Sequence, residues 1–257
     1  ECKETTMKKI SIFSSIAVAS LMSCTTFAQE MPPGAVVRTL NCALNEGVSM
    51  SEVVAWGRAL PRTETSASPV FFREALHHNN NYETDYDFQI AWYHGSWTNY
   101  IADMEANRSG NPVFARAVRP GDMMTCSASD ALSTYHQIPD NDGFTGDDTL
   151  MTTRFCNLQP GKSIADGYRF AAGVAANFKA AGDSSLMQVI SRQVGPVQNR
   201  TGNAVVIASV PATAAAMAAR QELTRNGLNP TQGLDNPFTV CNFPAMWRSY
   251  AITRPNN

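Results

Sequence analysis

The chain has 257 residues, a formal net charge of −2 and six cysteines. So small a charge leaves no electrostatic footprint for nucleic acid or an anionic lipid surface, and neither is an expected partner. The length is enough to bury one large core or two small ones.

Met7-Lys8-Lys9 opens a short basic stretch, and an apolar run follows from Ile10 to Met22. That run falls short of the roughly 20 apolar residues a membrane span needs. Basic, apolar and then small residues is the order of a secretory signal peptide, with Thr26-Phe27-Ala28 placing small residues before a cleavage point. Residues 1–6 read as an extension upstream of the true start. A second reading takes Leu21-Met22-Ser23-Cys24 as a lipobox, with a lipid anchor on Cys24. Both readings send the chain out of the cytoplasm, to the periplasm. No later stretch is apolar enough to span a bilayer.

Self-similarity organises the rest. Cys42 aligns with Cys156, and then Leu44 with Leu158, Gly47 with Gly161, Ser49 with Ser163, Glu52 with Asp166 and Trp56 with Phe170. At a nearly constant offset Ile90-Ala91 meets Ile207-Ala208, Arg108-Ser109-Gly110 meets Arg225-Asn226-Gly227, Cys126 meets Cys241 and Tyr135 meets Tyr250. Ordered matches spread along both halves mark a tandem repeat.

Within the first copy, Val36 to Leu44 is β-branched and apolar and predicts a strand. Gly47 turns the chain, and Ser49 with Glu52 forms a capping box for a helix bearing Val53, Trp56 and Leu60 at helical spacing. Pro69–Leu76 and Phe88–His94 read as strands, Thr98–Asn107 as a second helix, and Val113–Ser127 as the last strand with its cysteine. The second copy repeats the order over Thr152–Leu158, Ser163–Ala180, Leu186–Gly195, Ala204–Val210, Ala212–Arg225 and Phe238–Phe243. The expected organisation is an extension and signal peptide over 1–28, a first repeat over 29–139, an acidic linker over 140–150 and a second repeat over 151–257.

The β-α-β-β-α-β order is the ferredoxin-like split βαβ arrangement. Two such α+β units in one chain resemble the dimeric α+β barrel superfamily in fused form, with no particular member family indicated. The resemblance implies helices over one face of each four-stranded sheet and a cavity between the opposing faces. Setting aside Cys2 and Cys24, the remaining cysteines allow three pairings. In a split βαβ sheet the first and last strands are antiparallel neighbours, which selects Cys42–Cys126 and Cys156–Cys241. No C-x-x-C spacing favours a metal or redox role.

The two copies differ in decoration. Phe88-Gln89-Ile90-Ala91-Trp92-Tyr93-His94 stands against Val205-Val206-Ile207-Ala208-Ser209-Val210-Pro211. By alternation Phe88, Ile90, Trp92 and His94 share one face. Aromatic walls with a few polar groups are the usual make-up of a ligand pocket, so His94, Trp92, Trp97 and Trp56 are the candidate ligand-binding residues. The competing account has the aromatics filling core and His94 bonding locally at a strand end. His77-His78 with Asp85 and Asp87 reads as a polar connection, and Asp140–Asp148 as a solvated linker without EF-hand spacing. There is no Gly-rich phosphate loop, G-x-S-x-G elbow, H-E-x-x-H or C-x-x-C-H, and no motif names a cofactor.

Two functional readings follow. In the first, an exported scaffold binds a small, partly apolar ligand or docks an envelope protein. In the alternative, implied by the resemblance, the chain is an oxidoreductase, either haem-binding or a cofactor-independent oxygenase, using His94 in an aromatic cavity. A purely structural envelope protein is the third.

Overall fold

The structure, a computed structural model, describes residues 30–60, 68–77, 86–108, 120–127, 131–139, 141–194 and 203–253. The segment expected to be a signal peptide, Cys2, Cys24, His78, Asp85 and Asp140 lie outside these residues. The first half runs β1 (Ala35–Leu44), α1 (Met50–Ala59), β2 (Val70–His77), β3 (Phe88–His94), α2 (Trp97–Arg108), β4 (Met124–Cys126) and β5 (Ala131–Gln137). The second runs β6 (Asp148–Leu158), α3 (Ile164–Ala180), β7 (Leu186–Val194), β8 (Ala204–Val210), α4 (Ala214–Arg225), β9 (Phe238–Cys241) and β10 (Ala245–Thr253).

Local chemistry sets the first helix of each half in the same way. Gly47 and Gly161 turn the chain at φ of 79° and 80°, a region open to glycine without steric penalty. Two residues on, Ser49 and Ser163 cap α1 and α3. The Ser49 backbone N–H donates to the Glu52 carboxylate at 2.8 Å, and that of Ser163 to Asp166 at 2.7 Å. Each cap hydroxyl accepts in return from the N–H three residues on, which completes two capping boxes. The Ser163 hydroxyl, which donates to the Asp166 carboxylate at 2.7 Å, and the Ser163 backbone N–H together hold that carboxyl down at about 2.

All strand pairs between the barrel strands are antiparallel. β2-β3-β1-β5 form one run and β7-β8-β6-β10 another. β5 pairs with β7 and β10 pairs with β2, so the eight strands close into a barrel. This is the α+β barrel architecture that the element order implies. Cys42 sits opposite Cys126 on β4, and Cys156 opposite Cys241 on β9. Both pairs are disulfide-bonded. Cystines of this kind are compatible with a location outside the cytoplasm. Among the described residues, no helix is long and apolar enough to cross a membrane.

The last strand of each half departs from the sequence reading. Val113–Ser127 and Phe238–Phe243 were each expected to be a single strand carrying the cysteine. Instead a short cystine strand is followed by a separate, longer strand that closes the barrel, β5 or β10. Pro244, which has no N–H to give to a ladder, stands at the second break. Residues 113–119 lie outside the described set. Likewise β6 begins at Asp148, inside the stretch expected to be linker. Asp142, from the same stretch, is pinned to the edge of β7, its N–H donating to the Ser184 carbonyl at 2.8 Å.

Each sheet has two differently occupied faces. The outward faces carry the helix-covered cores, with Val53, Phe72, Phe88 and Ile90 in the first half and Tyr168, Ala171, Ala175 and Val205 in the second. Inside the barrel, Trp247 is 1 % exposed, stacks on Tyr86 and donates its indole N–H to Thr153 at 2.8 Å. Phe71, Tyr93, Tyr135 and Ile190 fill the other part of the interior. Among the described residues, side chains occupy much of the barrel interior, and a pocket lies at one mouth.

The cystines span sequence separations of 84 and 85 residues. In the chain-entropy account each is worth about 4–5 kcal/mol. Replacing Cys42 and Cys126, or Cys156 and Cys241, by serine pairs is expected to lower the unfolding free energy by similar amounts of that order. Urea denaturation of the oxidised protein and the two double variants measures this. A loss below about 1 kcal/mol from either pair would contradict the closure argument.

Candidate functional site

A pocket of about 670 Å³ opens where α2 overhangs one end of the barrel. Tyr93 and Tyr135 come up from the interior, their rings edge to face with centroids 4.9 Å apart. Asn99, Ala102 and Asp103 come down from α2, and Ser68 closes the side. Burial and the neighbouring Tyr93 push the Tyr135 phenol up to about 12, so it stays a neutral donor at physiological pH.

Behind this wall lies His94. Its Nδ1 is 3.0 Å from the Asp103 carboxylate and 3.2 Å from the Ser68 hydroxyl, which itself donates to Asp103 at 3.2 Å. The Tyr100 ring meets the imidazole edge to face at 5.3 Å. A serine relay places serine and carboxylate on opposite ring nitrogens. Here both meet Nδ1, so Ser68 is not activated as a nucleophile. A carboxylate accepting at Nδ1 fixes the proton there and leaves Nε2 as the basic nitrogen. Burial depresses the His94 pKa below its ordinary 6.5, outweighing the upward pull of Asp103, and Arg38 adds to the depression.

The sequence-predicted residues do not gather in one cavity. His94 and Trp92 share a face, as alternation requires, but that face turns toward the helices and away from the barrel. Trp92 packs into the outer core with the Arg38 guanidinium 5.3 Å from its ring centroid. Trp56, on α1, packs against the same core. Trp97 begins α2, is 40 % exposed and touches Tyr100 edge to face. Only His94 adjoins the pocket, through Ser68 and Asp103. His77 is exposed on β2, and among the described residues no three His, Cys, Asp or Glu side chains gather as metal ligands.

The residues that build the pocket were missed in sequence. Tyr93 lies in the strand singled out but on its other face. Ser68 and Asp103 are separated from His94 by a strand and by a helix, and no spacing announces them. Tyr135 alone had a signal, its match with Tyr250.

A haem would need an iron ligand aimed into the pocket and cations for its propionates. Among the described residues no His, Cys or Met lines this one, and the charged group they place at its wall is the Asp103 carboxylate. The donor set does not fit a haem, and no step is derived through one.

No family model matches the sequence, and neither does any curated protein. Solved structures do resemble it. A monooxygenase candidate from Fusobacterium nucleatum subsp. nucleatum is 9 % identical, with 88 % of this chain and 96 % of that one covered at a TM-score of 0.49. An anthrone oxidase-like protein is 9 % identical over 89 % and 97 %, at 0.44. An encapsulated DyP-type peroxidase from Mycobacterium smegmatis is 10 % identical over 88 % and 96 %, at 0.41. The α+β barrel of the present chain is established by its own strand pairing, with eight strands closed in a single chain.

The depressed His94 pKa has a consequence for stability. A group whose folded value lies below its unfolded one contributes stability that is present above about pH 6.5 and lost as pH falls through the folded value. His94→Gln is expected to flatten that part of the stability–pH profile. Asp103→Asn removes the upward pull and is expected to move the imidazole midpoint further down. Urea unfolding across pH and NMR titration of the imidazole read both effects. A midpoint above 6.5 in the wild type would contradict the burial argument.

Proposed function

We propose that this chain is an exported small-ligand-binding protein built from two tandem ferredoxin-like units, residues 29–139 and 151–257, around a short acidic connection. The observation that carries the reading is the mouth pocket. Its two tyrosines give it aromatic walls, and Ser68, Asn99 and Asp103 converge on it as hydrogen-bonding groups. That combination suits a ligand with a small, partly apolar body and one or two polar groups. The matched capping boxes and matched cystines support the duplication. The cystines, with the basic-then-apolar amino end, support export, either with cleavage after Ala28 or with an anchor on Cys24.

His94, Trp92, Trp97 and Trp56 are reassigned within this reading. His94 positions Asp103 at the pocket wall, while Trp92 and Trp56 support the sheet from behind. Trp97 stays a peripheral contact at the start of the overhanging helix. The oxidoreductase alternative keeps one support of its own, the His94–Asp103 pair, which orients an imidazole as proton-transfer sites do. A cofactor-independent reaction would use it together with the two phenols.

A steric test separates binding from docking. Ala102 faces the pocket from an exposed helix surface, so Ala102→Trp fills the space without touching a core. Native mass spectrometry of protein purified from the periplasm is expected to show a small bound species on the wild type and none on the variant, with equal circular dichroism. Bare mature chains for both proteins would sink the small-ligand reading in favour of partner docking.

A further inference from the structure

Arg73 projects from β2 into the barrel and is 6 % exposed. One Nη donates to the Tyr93 hydroxyl, and the guanidinium carbon lies 5.4 Å from the Tyr93 ring centroid. Nε has no hydrogen-bond partner. The cross-strand neighbours are neutral, Gln89 on β3 and Ser249 on β10. Among the described residues, no ion pair includes Arg73. Glu74, next in the chain, points to the opposite face and accepts from the Tyr250 hydroxyl at 2.7 Å. The inward positions of the eight barrel strands hold Arg73 and Arg192 but no Asp or Glu.

A guanidinium removed from water without a counter-charge is strongly unfavourable, and unlike lysine an arginine does not escape by losing its proton. Elsewhere this protein balances such a group. Arg220, comparably buried, is paired with Asp183. At Arg73 no described residue supplies the balancing charge. The group is also placed for recognition. Nε and its neighbouring Nη form one edge of the guanidinium fork that carboxylates take bidentately, and Nε is buried with no hydrogen-bond partner. Arg73 does not itself line the mouth pocket, but Tyr93 does, and its hydroxyl rests on Arg73.

We infer that Arg73 anchors an internal anion site, and that the ligand of the mouth pocket is a small monoanion, an aromatic or partly apolar carboxylate whose charge pairs with this guanidinium. The identity of the ligand body rests on the pocket reading above; the anion site rests on Arg73 alone. One buried cation balances one negative charge, and the Asp103 carboxylate at the outer wall disfavours a dianion such as a phosphate ester.

Thermal unfolding with sodium benzoate, sodium chloride and the neutral isostere benzyl alcohol tests this on the wild type, Arg73→Met, Arg73→Lys and Ala102→Trp. Benzoate is expected to raise the wild-type Tm by about 5–10 °C near 100 times its Kd, with benzyl alcohol doing far less. Arg73→Met should melt higher than the wild type without anion and show no anion response. Arg73→Lys should keep a weakened one. Chloride acting as well as benzoate, and only with Arg73 present, supports the site with an inorganic occupant. Equal anion responses in wild type and Arg73→Met overturn the inference. So does an Arg73→Met protein that melts lower with its anion response intact, because Arg73 would then be a structural prop for Tyr93. If benzoate and benzyl alcohol protect wild type and Arg73→Met alike but not Ala102→Trp, the anion site falls while the pocket reading stands.

Discussion

The pairing of β5 with β7 and of β2 with β10 is the constraint from which the remaining features follow. A four-stranded sheet leaves two edges with unpaired N–H and C=O groups, which invite association with other chains. In this protein the edges of each half are satisfied by those of the other. Closure turns one face of every strand inward, where it meets seven other strands and no helix. The outward faces are left to the helices, and the helix-covered cores form there. The cystines stand beside the closure rather than in it. They tie β1 to β4 and β6 to β9, fixing where the chain re-enters the barrel after its second helix.

Closure also decides where a ligand has room. An eight-stranded barrel has an interior that side chains just fill, and Trp247, Tyr86, Tyr93 and Phe71 do so here. Space remains at the mouth, and the two halves treat it differently. In the second half the corresponding helix, α4, buries Met217 and Arg220. In the first half α2 has no fully buried side chain among its described residues, and Trp97, Ile101 and Met104 are exposed. A helix held this loosely overhangs the barrel end instead of sealing it. The pocket is the space beneath.

Much of the fold was legible because it is written in local signals. Gly47-x-Ser49 and Gly161-x-Ser163 announce turn and cap, the β-branched runs announce strands, and strand adjacency assigns the cysteines. The candidate site was less legible for a geometric reason. Alternation tells which residues of a strand share a face, but not which face is inside. His94 and Trp92 were correctly grouped, and it was Tyr93, between them, that faced the barrel. Ser68 and Asp103 reach His94 only through tertiary structure. Arg73 carries no mark at all, since an arginine in a strand ordinarily reads as an outward, solvated residue.

The Tyr135–Tyr250 match shows how little a sequence alignment constrains where a side chain points. Both tyrosines follow their cysteine by the same number of residues, yet Tyr135 points into the barrel against Tyr93, while Tyr250 points outward to Glu74. The connection after Cys126 is one residue longer than the one after Cys241, and β10 carries register shifts of its own. Because side chains alternate with a period of two, a slip of one residue sends every side chain to the other face. In the first half that slip delivers a phenol to the mouth pocket. In the second it places Trp247 and Ser249 inside, the one filling the interior and the other lying beside Arg73 without charge to offer it. A one-residue difference between otherwise similar halves is therefore sufficient to send two aligned tyrosines to opposite faces of the barrel wall.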